Sequence, residues 1–374
     1  MDLKNIKKPD LKKMDKGLIN KLASFLLIIV LIFVVIIVIK LVKGNRISYE
    51  SIENKMINAA KTYYSEDEQG IKEFKDVSAQ NISVDIKTLV EKGYLKDLTK
   101  LTPNKEAICD GYVRVKTNNN YTLYTAFLDC GSDYKTKYLS DVIKNNIVET
   151  GDGLYKYNDE YIFRGELVNN YVNFADKEWR IIKINSDNTI RMIETTVREE
   201  IVWDNRYNVD TKSKEGINDF NVSRIKDSLE ELYNNEEEFN DNDKSHIVAQ
   251  NLCIGKRKRN DNSINGTTEC SQKYDNFMIG LLQVNEYALA SLDKNCTNPE
   301  AKACQNYNYF SEYKNSYWSI TANAEKTNKV YKFVNTPIVT SANNRSRIRA
   351  VINIDANSTF IDGDGTKENP YVIK

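Results

Sequence analysis

The strongest hydrophobic run of the chain lies near its N-terminus. Residues 22–39 read LASFLLIIVLIFVVIIVI and carry no charge, and apolar residues flank the run on both sides. A helix of about 20 apolar residues spans the hydrocarbon core of a membrane. A signal peptide would have a shorter apolar core followed by small residues, whereas Lys40 follows here. The pattern predicts an uncleaved transmembrane helix over 18–43.

Positive charge is concentrated before this run. Residues 1–21 hold seven lysines against three aspartates, and an excess of lysine marks the cytoplasmic side of a span. We therefore expect a cytoplasmic tail over 1–17, one span, and extracellular domains from residue 44 onward. The expected location is the cell membrane, with a single pass.

The next part of the chain predicts a small α+β domain over 44–140. Apolar residues recur at helical spacing over 48–64, and a second, shorter helix is predicted over 84–92 with Ser83 as its cap. Residues 111–116 and 121–129 alternate around an Asn-rich turn, which is typical of two antiparallel strands.

A polar stretch over 141–150 is interpreted as a linker, and residues 151–374 predict a larger α+β domain. Residues 178–184 and 189–195 alternate around a turn and predict a hairpin, while 222–233 has the apolar spacing of a helix. Further short β-like runs are 161–163, 331–334, 337–340, 348–354 and 371–373.

Composition narrows the chemistry. The 374 residues include 53 Lys+Arg and 53 Asp+Glu, so no net charge attracts the chain to nucleic acid, and His246 is the one histidine. Six cysteines lie on the expected outer side, which favours disulfides over a metal site. Proximity suggests three pairs among the 15 possible connectivities: Cys109–Cys130, Cys253–Cys270 and Cys296–Cys304. We predict no metal and no cofactor.

Three polar motifs have alternative interpretations. Residues 261–266 match the first half of a calcium loop, and 362–366 also offer two aspartates, but both fit ordinary turns. The basic run 256–259 fits either a solvated loop or a surface that contacts anionic wall polymers. His246 is interpreted as a surface residue without an acid–base role.

Aromatic residues in polar surroundings provide the candidate ligand site. Trp203, Asp204, Arg206 and Tyr207 follow one another in the stretch WDNRYN, and Trp318 lies in NSYWSIT. Indole rings beside a guanidinium and a carboxylate can stack on a sugar and bind its hydroxyls. The same residues could instead lock a loop, with Trp203 in the core and Asp204 paired with Arg206.

Several segments after residue 150 resemble the uncharacterised C-terminal surface domains of membrane-anchored proteins from low-GC bacteria. These segments are DGLYKYNDEYIFRGELVNNYVNFADKEWRIIKI, WDNRYN, GINDFNVSRIKDSLEELYN, LCIGKR, YDNFMIGLLQVNEY, YWSIT, RIRAVINI and GDGTKENPYVIK. The plan of that family is similar to C-type-lectin-like and formylglycine-generating-enzyme-like domains. The resemblance implies that the first and last strands pair and that long loops carry the ligand site.

Residues 18–139 look like a divergent pilin, on the hydrophobic helix, AAKTYY, LVEKGYL and a disulfide around a small sheet. Together these features predict a non-catalytic surface protein that binds a cell-wall polymer, a glycan or a protein. One alternative is a wall-active hydrolase using two carboxylates among Glu194, Asp204 and Glu286, since glycosidases need such a pair. Another is a pilus-like structural subunit.

Overall fold

The computed structural model describes residues 25–30, 32, 46–75, 82–118 and 121–373. In this part of the chain the fold is α+β, with four sheets and three disulfides. Two separate hydrophobic cores divide it into a small unit, residues 46–138, and a large unit, residues 139–373.

The prediction of a fold that includes an N-terminal transmembrane helix is wrong for the described chain. No helix among these residues has the length and apolar character needed to cross a membrane. Most of 18–43 lies outside the described residues. The structure describes residues 25–30 and 32 of that stretch, and they are helical.

The small unit packs helices against one face of a three-stranded antiparallel sheet. Its strands are β1 (Ile82–Asp85), β2 (Asp110–Asn118) and β3 (Tyr121–Asp129), in that spatial order. Its helices are α1 (Tyr49–Glu66), α2 (Glu68–Lys75) and α3 (Ile86–Glu91). Helix α1 is capped by Ser48 and buries Ile52, Met56 and Ala60, as its apolar spacing predicts, whereas α3 is capped by Asp85 rather than Ser83.

The large unit contains four helices and seventeen strands in its described residues. The helices are α4 (Leu139–Lys144), α5 (Arg224–Asn234), α6 (Asp241–His246) and α7 (Val284–Leu289). The strands are β4 (Gly153–Tyr157), β5 (Glu160–Arg164), β6 (Tyr171–Phe174), β7 (Lys177–Ile184), β8 (Ile190–Glu194), β9 (Glu200–Val202), β10 (Ile247–Val248), β11 (Gln250–Cys253), β12 (Lys273–Phe277), β13 (Ile279–Gly280), β14 (Tyr317–Ala322), β15 (Lys329–Phe333), β16 (Pro337–Ser341), β17 (Arg345–Arg347), β18 (Val351–Ile354), β19 (Phe360–Asp362) and β20 (Tyr371–Ile373).

A ten-stranded sheet forms the centre of the large unit. Its main path is β10-β18-β8-β7-β6-β20-β19, and β13, β5 and β4 join it at β18, β7 and β5. The family resemblance implied that the first and last strands pair, and this is wrong: the last strand, β20, lies parallel to β6. The first strand, β4, pairs instead with β5 in a tight hairpin whose turn residue Asn158 adopts a positive φ of 52°.

Two smaller sheets complete the large unit. A five-stranded sheet has the order β16-β15-β14-β17-β9, and β11 pairs with β12. The chain passes from the five-stranded sheet to the central sheet between β17 and β18. The segment 348–350 is buried at this crossing.

The predicted linker over 141–150 is partly helical. It begins inside α4, where Leu139 and Ile143 are buried in the core of the large unit. The Leu139 amide donates to Ser358 O at 3.0 Å, and the Phe360 amide donates to Lys137 O at 2.9 Å. A side-chain contact also joins the two units, because Lys116 in β2 forms an ion pair with the buried Asp355 of the large unit. The two units are therefore tied together by backbone and side-chain contacts.

The three disulfides join Cys109 to Cys130, Cys253 to Cys270 and Cys296 to Cys304, which are the pairs that proximity suggests. None of the cysteines is free. Disulfides form and persist in oxidising compartments. The structure therefore indicates an extracellular or otherwise oxidising environment.

Replacing both Cys109 and Cys130 with serine is expected to lower the free energy of unfolding by about 3 kcal/mol. The bridge joins residues 21 positions apart, and its loss frees that loop in the unfolded chain. Urea unfolding of the two proteins measures the difference, after non-reducing peptide mapping has verified the pairing. Equal unfolding curves would contradict this prediction.

Candidate functional site

The two indole rings of the predicted ligand site are buried. Trp203 has no exposed surface, and its Nε1 donates to Ser319 O at 3.1 Å. Trp318 is equally buried, and its Nε1 donates to Ile201 O at 3.0 Å. The two rings thus tie β9 and the residues after it to β14, and neither can stack on a ligand.

The polar members of the predicted site hold the loop together. The fully buried Asp204 accepts from Arg206 Nε at 2.9 Å and from the Ile217 amide at 2.7 Å. It also accepts from the Arg224 amide at 3.2 Å, next to the first turn of α5. Tyr207 is the exposed member, at 55%. Of the predicted surface, Trp203, Asp204, Arg206 and Trp318 therefore form an internal anchor, as the alternative interpretation described, and Tyr207 alone is exposed.

The three carboxylates of the hydrolase alternative are also engaged. Glu194 accepts two hydrogen bonds from Arg198, both at 3.0 Å. Asp204 accepts the hydrogen bond from Arg206 described above. Glu286 pairs with Arg191 at 2.6 Å. Burial raises the pKa of Glu286, but the charge and hydrogen bonds of Arg191 outweigh it, so the pKa is lowered overall. A glycosidase acid needs a raised pKa, so this carboxyl is unsuited to that role.

His246 is buried rather than exposed. Burial lowers its pKa to about 4, so the ring is neutral at pH 7. Its edge packs against Phe174, with ring centroids 6.2 Å apart, and its Nδ1 has no hydrogen-bond partner among the described residues. The environment is that of a core residue at the end of α6.

A guanidinium, rather than a cation ligand site, organises the 261–266 motif. The buried Arg257 donates to Asp261 O at 2.9 Å and to Ser263 O at 2.6 Å, and it pairs with the buried Glu269 at 2.8 Å. The described residues contain no group of three or more His, Cys, Asp or Glu side chains that could hold a metal ion. Arg257 belongs to the basic run 256–259, so one of those four charges is internal.

A cleft with a volume of about 720 Å³ lies elsewhere in the described chain. Its floor is formed by β7, β8 and β18 of the central sheet, and α7 and the Cys253–Cys270 loop form its sides. The β4–β5 hairpin contributes Tyr157 and Glu160, and the small unit contributes Lys116. The cleft therefore lies where the two units meet.

Eight amide side chains line this cleft. They are Asn185, Gln250, Asn251, Asn265, Asn276, Gln283, Asn285 and Asn353. Tyr157 is the only aromatic ring among the described lining residues. Such a surface offers many hydrogen-bond donors and acceptors that carry no charge.

Four charged groups that β5, β7, β8 and α7 contribute to the cleft form internal pairs. Arg191 in β8 pairs with Glu286 in α7, and its Nη1 donates to Gln250 Oε1. Lys183 is 2.9 Å from both carboxylate oxygens of Glu160. Little unpaired charge is left to attract an ionic ligand to the floor.

Two buried amide oxygens in the cleft have no partner. Asn285 is 6% exposed and Asn353 is 9% exposed, and neither Oδ1 accepts a hydrogen bond among the described residues. Such groups are rare in native proteins because leaving them unpaired is costly. Ligand hydroxyls or bound water would satisfy both.

This cleft is not apparent from the sequence pattern. One signal was present, because Asn353 interrupts the apolar run VINI, and Gln283, Asn285 and Glu286 interrupt LLQVNEYALA. Polar residues inside buried elements mark either a hydrogen-bond network or a site. That they share one cleft depends on sheet order, which the sequence pattern does not reveal.

No protein-family model, curated protein or solved structure matches the chain. The resemblance to the bacterial surface domains, to lectin-like domains and to pilins therefore stays a prediction.

Proposed function

We propose that the protein is a non-catalytic binding protein that acts outside the cytoplasm, and that its amide-lined cleft takes a neutral, hydroxyl-rich ligand of the carbohydrate class. The observation that carries this proposal is the pair of unpartnered, buried amide oxygens of Asn285 and Asn353 in the cleft. Hydroxyl groups donate to such oxygens and accept from amide N–H groups, so a sugar matches both halves of an amide.

The charge arrangement supports a neutral ligand over an anionic one. Arg191 and Lys183 are already paired with carboxylates, so binding an anion at the floor would require breaking an internal pair. A neutral glycan would leave both pairs in place. Lys273, which also lines the cleft, could contact an anionic substituent, such as the carboxylate of a wall saccharide.

The state of the carboxylates supports binding rather than hydrolysis. Retaining and inverting glycosidases need one carboxyl that holds a proton near neutral pH. Glu286, the buried carboxylate of the cleft, has a lowered pKa beside Arg191. We infer that a glycan bound here leaves unchanged.

Replacing Asn353 with alanine tests the proposal. We expect glycan binding to weaken roughly 5- to 10-fold per lost hydrogen bond, since a neutral bond contributes about 1 kcal/mol. The unliganded protein should keep or slightly raise its melting temperature, because the substitution removes a buried acceptor that has no partner. Calorimetric titration with chitooligosaccharides, maltooligosaccharides and soluble muropeptides measures the affinity.

The matched control is Asn234→Ala, at the exposed C-terminal end of α5 and outside the cleft. It should change neither the affinity nor the melting temperature. Equal affinity of the native chain and Asn353→Ala for every saccharide that binds would rule out the cleft as the site. Failure of all three probe classes to bind the native chain would contradict the carbohydrate class.

A further inference from the structure

A fully buried arginine lies where the chain crosses from the five-stranded sheet to the central sheet. Arg349 has no exposed surface, and its Nε donates to Glu194 O at 3.0 Å. Neither Nη1 nor Nη2 has a hydrogen-bond partner among the described residues. A guanidinium in this state is unusual, because burying a charge is very unfavourable unless the charge is paired.

The neighbouring carboxylates do not supply the missing charge. Glu194, whose carbonyl oxygen binds Arg349, has its carboxylate engaged by Arg198. Glu312 is engaged by Arg180, with Nη1 at 2.5 Å from Oε1. Among the described residues, Arg349 has no carboxylate within ion-pair distance, whereas the other fully buried arginines, Arg180 and Arg257, each have one.

A buried phenol beside Arg349 also has an unpartnered hydroxyl. Tyr317 is almost completely buried, and its OH has no hydrogen-bond partner among the described residues. The ring centroid of Tyr317 is 4.9 Å from the guanidinium carbon of Arg349. Burial raises the pKa of this phenol, and the nearby Arg349 only partly offsets this. The hydroxyl therefore keeps its proton and can donate.

One face of the guanidinium is already covered. The ring centroid of Tyr313 lies 3.4 Å from the guanidinium carbon, so this ring stacks on Arg349. The ring stabilises the charge at this face through cation–π attraction, but the N–H groups at the edge of the guanidinium still have no acceptors. Tyr313 is partly exposed, so it separates the arginine from solvent.

We propose that Arg349, with the hydroxyl of Tyr317, binds a small monovalent anion of the halide type between the two sheets. An anion accepts several hydrogen bonds at once and neutralises the buried charge. Water would accept only some of these bonds and would leave the charge uncompensated. The site is separate from the amide-lined cleft, since neither residue lines that cleft, and its ligand would stabilise the crossing between the sheets.

Replacing chloride by gluconate at constant ionic strength tests this in solution, because gluconate is too large for an enclosed site. The melting temperature of the full chain should rise saturably with chloride, by roughly 3–6 °C at about a hundredfold excess over the dissociation constant. Crystals grown in sodium bromide should show an anomalous peak at hydrogen-bond distance from Arg349 Nη1 or Nη2.

Two variants separate anion binding from a general salt effect. Arg349→Met should abolish the chloride dependence, and Tyr317→Phe, which removes one donor and keeps the ring, should weaken it if Arg349→Met does not fold. Arg180→Met is the matched control, because Arg180 is paired with Glu312. It should lower the melting temperature equally in both salts and keep the chloride dependence. Equal melting temperatures of the native chain in chloride and gluconate, or water alone beside Arg349 in the bromide crystals, would overturn the proposal.

Discussion

Replacing Trp203 with alanine is expected to lower the free energy of unfolding by about 3–5 kcal/mol, the usual effect of deleting a large buried aromatic ring. The indole has no exposed surface, and its Nε1 bonds to Ser319 O, so the variant loses packing and leaves that carbonyl without its donor. Glycan affinity of the fraction that stays folded should be unchanged, because Trp203 does not line the cleft. Urea unfolding and calorimetric titration measure the two quantities.

Tyr207 provides the matched control for this variant, since it lies in the same loop and is 55% exposed. Tyr207→Ala should change the free energy of unfolding by less than about 0.5 kcal/mol. If Trp203→Ala instead lost glycan binding while its unfolding curve stayed the same, the loop would be the ligand site after all, and its assignment as an internal anchor would be refuted.

Replacing Arg191 with methionine is expected to lower the free energy of unfolding by about 3–5 kcal/mol at pH 7. Arg191 and Glu286 are each only about 5% exposed and lie 2.6 Å apart, so the substitution leaves a buried carboxylate without its partner. The double variant Arg191→Met with Glu286→Gln should recover part of the loss, because the remaining amide carries no charge.

The effect of Arg191→Met should depend on pH. In the native chain the pKa of Glu286 is lowered, so its stabilising contribution is present at neutral pH and is lost as the pH falls through that lowered value. Without Arg191, burial raises this pKa above the unfolded value, and the variant gains stability as the carboxylate is protonated. The difference between the two proteins should therefore narrow below about pH 5.

Lys183→Met is the control for this pair. Lys183 and Glu160 are partly exposed, at 21% and 31%, so water screens their interaction. The expected loss is about 0–1 kcal/mol. If Lys183→Met lowered the free energy of unfolding as much as Arg191→Met, burial would not explain why the two ion pairs differ in strength. If the effect of Arg191→Met did not depend on pH, the role assigned to Glu286 would be contradicted.

Local elements of the fold follow closely from the sequence pattern. The apolar spacing over 48–64 corresponds to α1, and the alternation around 185–188 corresponds to the β7–β8 hairpin. These elements depend on residues that are close in sequence, such as a capping serine or the alternating residues of a strand. A hydrophobic pattern with a period of 3.6 or 2 therefore predicts them. The start of α5 shows the limit of this, because the apolar spacing predicts a helix from residue 222, whereas the helix begins at Arg224 with Ser223 as its cap.

The burial of individual side chains in polar stretches does not follow from the sequence pattern. Trp203, Asp204 and Trp318 stand among polar residues, which made them candidates for a surface site. Each is instead buried by an element distant in sequence, for example Trp203 by β14, which lies more than 110 positions later. Burial of a single side chain depends on such long-range contacts, and periodicity carries no information about them.

The sequence by itself determined the α+β class, the order of the main local elements and a cysteine spacing compatible with three short disulfide loops. Only the tertiary structure decided which polar residues are internal and which line a site. Arg257 and Arg349 illustrate this, since both stand in ordinary basic stretches, yet one is paired with Glu269 and the other has no carboxylate partner among the described residues. The physical reason is that the free energy of a charge depends on its surroundings after folding, and those surroundings come from distant parts of the chain.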